Sequence, residues 1–168
     1  MKKTLFLQIA LLSSTLFIAL PQIIKFDFSN PIPKYHASIS LNSTNNKVTW
    51  LSINDIDQKL NESPKPILID FYTNWCGWCK RMDATTFRDE QVVTALENDY
   101  YAVKINAESE EVITFNGKTQ PMYAFAREMG VSGFPTVILL NTQQKKSKML
   151  VGFQRANTMF KQLNKFVK

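Results

Sequence analysis

The sequence predicts an α/β fold, and three observations support this prediction. Residues 67–72 form an almost continuous apolar run, which is typical of a central strand that is buried on both faces. Patterns of strand and helix periodicity alternate from about residue 48 to the end of the 168-residue chain. With 45% hydrophobic residues and twelve Phe, the chain can bury a core without disulfide staples. We therefore expect a single domain.

The individual elements follow from periodicity and from breaker residues. The pattern predicts strands at residues 48–51, 67–72, 100–106, 136–140 and 148–153. It predicts helices at residues 54–61, 76–84, 90–98, 118–129 and 158–167. Asn54 with Asp55, and Asp89, are suited to cap helix starts, and Gly130 is suited to end a helix.

The N-terminal segment has the features of an export signal or a membrane anchor. Lys2 and Lys3 precede a mostly apolar stretch at residues 5–20, which Pro21 closes. The stretch is near the length of a membrane span, so a cleaved signal and a retained anchor at residues 1–24 both remain open. Either one predicts that the domain is delivered across a membrane. We expect a linker at residues 25–46 and the folded domain at 47–168.

Charge and composition argue against nucleic acid as a partner. The formal charge is +6, and excluding Lys2, Lys3 and Lys25 of the N-terminal segment leaves 17 basic against 14 acidic residues, or +3. A mildly basic domain is typical of solvated surface charge, and the cluster at residues 145–148 fits a polar turn between strands. The lone His36 lies in the predicted linker, and we assign it no catalytic or metal role.

The only two cysteines are the most informative residues of the chain. Cys76 and Cys79 form a Cys-x-x-Cys pair between a buried strand and a helix start, where unpaired backbone N–H groups favour a thiolate. A purely structural disulfide would close too short a loop to stabilise much. A zinc site lacks further ligands, and haem attachment needs His where Lys80 stands. We therefore expect no metal and no cofactor other than a redox-active Cys76–Cys79 disulfide.

Residues 48–168 resemble the thioredoxin superfamily at five landmarks in order. These are the Trp-Cys-Gly-x-Cys-Lys motif at 75–80, an acidic residue six positions before its first cysteine, a lysine on the next strand, a Gly-Phe-Pro-Thr loop at 133–136 and a late glycine at 152. The resemblance implies a thioredoxin fold with a central mixed sheet flanked by helices. Residues 86–92 and the long segment 106–121 are most similar to exported bacterial members, such as the C-terminal domain of DsbD and sulfur-oxidation-type thioredoxins.

Four residues are the candidate catalytic groups. Cys76, at the exposed helix start, is predicted to be the nucleophile, and Cys79, one turn further and more buried, the resolving thiol. The resemblance implies that Asp70 accepts or relays the proton of Cys79, with a pKa raised by burial. Lys104 on the neighbouring strand is the expected partner of Asp70.

Five further residues are the candidate substrate-binding groups. The resemblance implies that Pro135 follows a cis peptide bond, so that the backbone of Phe134 can pair with an extended substrate chain. Trp75, Gly77 and Trp78 would surround Cys76. Trp78 stands where thioredoxins usually have Pro and carries no charge to stabilise a thiolate. We expect a potential toward the reducing half of the range from about −270 to about −120 mV.

The sequence thus predicts an exported thiol–disulfide oxidoreductase that reduces protein disulfides through a mixed-disulfide intermediate. Its expected location is periplasmic or extracytoplasmic, with possible membrane association through the N-terminal segment. Its expected partners are protein thiols and disulfides and a membrane electron donor. Two alternatives remain open: an oxidase or isomerase of the same compartment, and a non-catalytic binding module of the same fold.

Overall fold

The computed structural model describes residues 46–168. The predicted signal or anchor at 1–24, His36 and all but the last residue of the predicted linker lie outside these residues. Within residues 46–168, none of the helices has the length and apolar character needed to span a membrane.

Six strands and five helices make up the described chain. The strands are β1 Ile67–Tyr72, β2 Tyr101–Asn106, β3 Val112–Phe115, β4 Lys118–Pro121, β5 Thr136–Asn141 and β6 Lys146–Val151. The helices are α1 Ile56–Glu62, α2 Gly77–Ala84, α3 Glu90–Asp99, α4 Met122–Glu128 and α5 Ala156–Val167. Short 3-10 turns at Ile53–Asp55 and Thr86–Arg88 precede α1 and α3.

Four of the strands form a mixed sheet in the order β2-β1-β5-β6, as the resemblance implied. Strand β1 runs parallel to β2 and antiparallel to β5, and β6 runs antiparallel to β5. The carboxyl ends of β2, β1 and β6 and the amino end of β5 therefore lie at the same edge. The cysteine motif follows β1 at this edge, and the Phe134–Pro135 loop precedes β5 there.

The sheet separates two apolar cores, and the side chains of β1 alternate between them. Leu68 packs in a cluster with residues of α3 and α5, whereas Ile67, Ile69 and Phe71 pack in a second cluster on the other face. Because side chains two positions apart share a face of a strand, Asp70 lies on the same face as Leu68. Burial of each large apolar side chain contributes roughly 1.5–3 kcal/mol to this framework.

The predicted helix at 118–129 is wrong in its first turn, because residues 112–121 form a β-hairpin and the helix begins at Met122. Asn116 and Gly117 form its turn with φ of 51° and 72°. Asn-Gly is the most favoured pair for a two-residue hairpin turn, since both residues tolerate positive φ. The carboxylate of Asp57 in α1 accepts hydrogen bonds from both turn N–H groups, at 3.0 and 3.3 Å.

Two smaller expectations near the first helix are also corrected. Residues 48–51 do not form a strand, and only Leu51 bridges to β2, where its N–H donates to the Ala102 carbonyl at 2.8 Å. Asn54 does not cap α1, because its side-chain oxygen instead accepts the backbone N–H of Thr114 in the hairpin. The predicted cap at Asp89 is confirmed: its carboxylate accepts backbone N–H groups in the first turn of α3.

Candidate active site

Cys76 and Cys79 form a disulfide at the start of α2. Cys76 is the N-cap residue, and its sulfur accepts the backbone N–H of Cys79 at 3.0 Å. An N–H group in this position would stabilise a Cys76 thiolate in the reduced protein.

The expected contrast in exposure between the two cysteines is absent in the disulfide form. Cys76 is 4% exposed and Cys79 is 3% exposed. The surface at this point consists instead of the flanking side chains of Trp75 and Trp78, which are 68% and 56% exposed. The two sulfurs therefore differ in their backbone contacts rather than in their access to solvent.

Asp70 is a buried carboxyl group, as the sequence predicts, and it is 1% exposed. The Lys104 ammonium lies 3.1 Å from Oδ2, and Oδ1 has no hydrogen-bond partner within residues 46–168. Burial raises the pKa of Asp70 to about 6, although the charge of Lys104 opposes this rise. The carboxyl group can therefore gain and lose a proton close to neutral pH.

Lys104 links Asp70 of β1 to a second carboxylate, Asp83 of α2, to which its ammonium also donates a hydrogen bond. Burial lowers the pKa of Lys104, but the two carboxylates outweigh this effect, so the pKa is raised overall. The ammonium also lies over the rings of Trp50 and Tyr72, at 4.8 and 5.1 Å from their centroids. The cation is thus held in place by several independent contacts.

The shared lysine relates Asp70 to Cys79, the predicted resolving thiol. Cys79 and Asp83 are four residues apart on α2 and therefore lie on the same helix face. Because Asp83 and Asp70 contact the same ammonium group, this face of α2 lies over the sheet face that carries Asp70. Cys79 therefore lies one helical turn before Asp83, on the side of α2 that faces the sheet.

The other predicted substrate-binding residues lie around the disulfide. The Phe134–Pro135 peptide bond is cis, and the Pro135 carbonyl accepts the N–H of Gly152 at 2.8 Å. The ring of Trp75 packs edge-on against Phe134, with centroids 6.1 Å apart. A Cβ built on Gly77 meets no atom within 4 Å, so the surface beside the disulfide is open at that position.

Four residues of this region were not identified from the sequence. They are Asp83, Arg81, Glu108 and Phe153. The spacing of Asp83 from Cys79 was an available signal, because positions i and i+4 share a helix face. Arg81 lies over the ring of Trp78, three residues earlier on α2, so helical spacing was a signal for it as well. Glu108 accepts the indole N–H of Trp75, and Phe153 packs on Trp78, and no local pattern reveals either contact. Within residues 46–168, no group of three or more His, Cys, Asp or Glu side chains is placed to hold a metal ion.

Comparison with known proteins identifies related sequences. Residues 54–167 match the family described as a thioredoxin-like domain. A thioredoxin-like protein of Synechocystis sp. is 33% identical over 110 residues, which cover 66% of this chain and 90% of that protein. The thiol:disulfide interchange protein DsbD of Pseudoalteromonas atlantica is 30% identical over 111 residues, which cover 63% of this chain but 17% of DsbD. The chain thus spans less than a fifth of the length of that relative.

Solved structures show the same fold. The oxidised C-terminal domain of DsbD from Neisseria meningitidis has a TM-score of 0.51 and 26% identity, covering 66% of this chain and 88% of that chain. A thioredoxin from Thermus thermophilus has a TM-score of 0.57 and 18% identity, covering 72% of this chain and 88% of that chain.

Proposed function

We propose that this chain, which belongs to the thioredoxin-like domain family, reduces disulfide bonds of other proteins with its Cys76–Cys79 pair. The observation that carries this proposal is the disulfide at the N-cap of α2, with a titratable, buried Asp70 beneath the same helix. A structural disulfide would need neither the titratable carboxyl group nor its lysine partner.

The reaction consists of two thiol–disulfide exchanges. In the reduced protein, the Cys76 thiolate attacks one sulfur of a substrate disulfide, that S–S bond breaks, and the other substrate sulfur leaves as a thiolate. Cys79 then attacks the Cys76 sulfur, which restores the intramolecular disulfide and releases the second substrate sulfur as a thiolate. The substrate gains two electrons and, after protonation, two hydrogens, and the protein pair loses them.

Asp70 supplies the proton acceptor for the second exchange. Cys79 must lose its proton to attack, and it is buried, which disfavours its thiolate. A carboxylate whose pKa is about 6 is largely ionised at neutral pH and can accept that proton directly or through water. Lys104 holds the carboxylate in place and offsets its negative charge.

The surface around Cys76 suits an extended polypeptide. Within residues 46–168, no backbone hydrogen bond engages the N–H or carbonyl of Phe134, so both are available to pair with a substrate strand. The exposed rings of Trp75 and Trp78 provide apolar surface on either side of the disulfide. Such a site accepts an unfolded or flexible segment more readily than a compact small molecule.

We also propose that the domain acts outside the cytoplasm and is recharged by a membrane electron donor. The charged and apolar N-terminal sequence supports export, and the similarity to proteins named thiol:disulfide interchange protein DsbD supports exchange with a thiol donor. Trp78 between the cysteines supports net reduction, because it provides no charge that would stabilise the reduced form.

The test is the reduction of insulin disulfides by the full-length protein with dithiothreitol as the donor. We expect catalysed reduction by the wild type and none by Cys76→Ser. The matched variant Cys79→Ser, reduced and then freed of dithiothreitol before insulin is added, should retain the first exchange and accumulate a covalent mixed disulfide with insulin, detectable on a non-reducing gel. Catalysis by Cys76→Ser at the wild-type rate would overturn the proposal.

A further inference from the structure

Each of the two exposed tryptophans beside the disulfide contacts a charged side chain, and the two charges have opposite signs. The indole N–H of Trp75 donates to both carboxylate oxygens of Glu108, each at 3.0 Å. The guanidinium group of Arg81 lies over the ring of Trp78, at 5.3 Å from its centroid. Within residues 46–168, neither Glu108 nor Arg81 forms a salt bridge, so both charges are available to another molecule.

The topology places these charges at opposite ends of the site. Glu108 follows β2, which is one outer strand of the sheet, and Phe153 follows β6, which is the other. Arg81 lies over the ring of Phe153 at 5.7 Å, and Trp78 packs on the same ring at 5.5 Å. Three strand spacings of about 4.8 Å separate β2 from β6, a span of about 14 Å. The disulfide and the Phe134–Pro135 loop lie between these two ends.

The carboxylate of Glu108 is positioned and can still bind a cation. A carboxylate has about four acceptor sites, and the single indole N–H shared by its two oxygens leaves the others open. The hydrogen bond restrains the side chain beside Trp75, which itself contacts Phe134 of the substrate-binding loop. A Lys or Arg of a bound chain could therefore reach the carboxylate while that chain pairs with Phe134.

The guanidinium group of Arg81 supplies the positive charge that complements the carboxylate of Glu108. Stacking of a guanidinium on aromatic rings uses its faces and leaves the N–H donors at its edge free for a carboxylate. An open cavity of about 280 Å³ lined by Gly77, Trp78 and Arg81 gives access to these donors. An Asp or Glu side chain carries the charge that these donors would bind.

We propose that Glu108 and Arg81 determine substrate specificity by selecting partner segments with a basic residue on one side of the reactive cysteine and an acidic residue on the other. The two charges lie toward opposite outer strands, about 14 Å apart across the sheet, and an extended chain that advances about 3.3 Å per residue covers this width in about four residues. The partner bound at this site is thus an extended protein segment that carries one charge of each sign, with its reactive cysteine between them. This inference rests on the proposed function, because it concerns the substrate of the same Cys76.

The test uses five-residue peptides with a central cysteine that carries a 2-thiopyridyl disulfide. The Cys76 thiolate of the reduced, full-length protein attacks the peptide sulfur, the S–S bond breaks, and neutral 2-thiopyridone leaves, which is followed by its absorbance. The peptides carry Lys then Asp at their ends, Asp then Lys, two Lys, two Asp, or two uncharged residues. Rates are measured at low and at high salt.

We expect one of the two dipolar peptides to react about tenfold faster than the other at low salt, with the preference reduced at high salt. The double variant Arg81→Glu with Glu108→Arg should invert the preferred order of charges. The matched controls are Arg88→Glu, for Arg81, and Glu110→Lys, for Glu108. Each reverses an exposed charge of the same sign as its counterpart that does not contact Trp75 or Trp78, and each should leave the preference unchanged.

Equal rates for all five peptides, or a control that changes the preference as strongly as the double variant, would overturn the inference. These outcomes leave the proposed function intact as long as insulin is reduced. Failure to reduce insulin would instead remove the proposed function, whatever the peptides show.

Discussion

Replacing Asp70 with Asn should stabilise the oxidised protein at neutral pH. Asn has nearly the shape of the protonated carboxyl group but never ionises. The pKa of Asp70 is raised from its ordinary value of 3.8 to about 6, chiefly because the group is buried. A shift of roughly two units, at about 1.4 kcal/mol per unit, corresponds to about 3 kcal/mol. The wild type loses this amount of folding free energy when Asp70 ionises.

The pH dependence follows from proton binding in the two states. Below about pH 4, Asp70 is protonated in both folded and unfolded chains and has no effect on their balance. Between 3.8 and about 6 the folded chain retains a proton that the unfolded chain has released, so stability falls as the pH rises. Above this window the loss is complete and constant. The Asn variant lacks this loss.

The assay is urea denaturation of the oxidised, full-length protein at about pH 3, below the ordinary pKa of Asp70, and at about pH 8. We expect Asp70→Asn to match the wild type at the lower pH and to exceed it by about 2 to 3 kcal/mol at the higher pH. The matched control is Asp83→Asn, which alters the other carboxylate bound to Lys104 but is 43% exposed, and it should show no such gain. A constant difference between Asp70→Asn and the wild type at both pH values would refute the assignment of a raised pKa.

Three further changes test other contacts of the structure. Lys104→Met removes the cation that lowers the pKa of Asp70, so this pKa should rise above about 6, as followed by NMR titration of the carboxyl carbon. The pH range over which stability falls should still begin near 3.8 but should extend to higher pH. Tyr100→Phe removes the buried hydrogen bond to the Leu163 carbonyl, 2.8 Å long, and should cost about 1 to 2 kcal/mol in urea denaturation. Asp57→Ala removes the acceptor of the hairpin-turn N–H groups, and it should accelerate amide exchange in that turn but not in α5.

The fold was largely predictable because its main signals are local. The apolar run of β1, the Asp89 cap and the breaker residues between elements each occur within a few positions of one another, and the structure confirms them. The hairpin was missed although the Asn116-Gly117 pair is a local signal. Its strands are only four residues long, and β4 is mostly polar, so neither strand gives a clear alternating pattern. The predicted helix therefore begins at residue 118, four residues before the helix in the structure.

The site was predictable only where a residue type has an unusual position in the sequence. A carboxyl group inside an apolar strand predicted the buried Asp70, and the spacing of the two cysteines predicted the disulfide that the structure contains. Glu108 is an ordinary surface charge in the sequence, and only the fold brings it to Trp75. Arg81 lies three residues after Trp78 on α2, so that contact is local, but its contact with Phe153 is not. Long-range contacts of this kind require the folded structure.

The equilibrium reduction potential of the Cys76–Cys79 pair tests the central claim most directly. The full-length protein would be equilibrated with graded ratios of oxidised and reduced dithiothreitol or glutathione, and its free thiols counted at each ratio. A reductase predicts a potential near or below about −230 mV, since the pair must give its electrons to protein disulfides. A potential above about −180 mV would contradict net reduction and would identify the protein as an oxidant or isomerase.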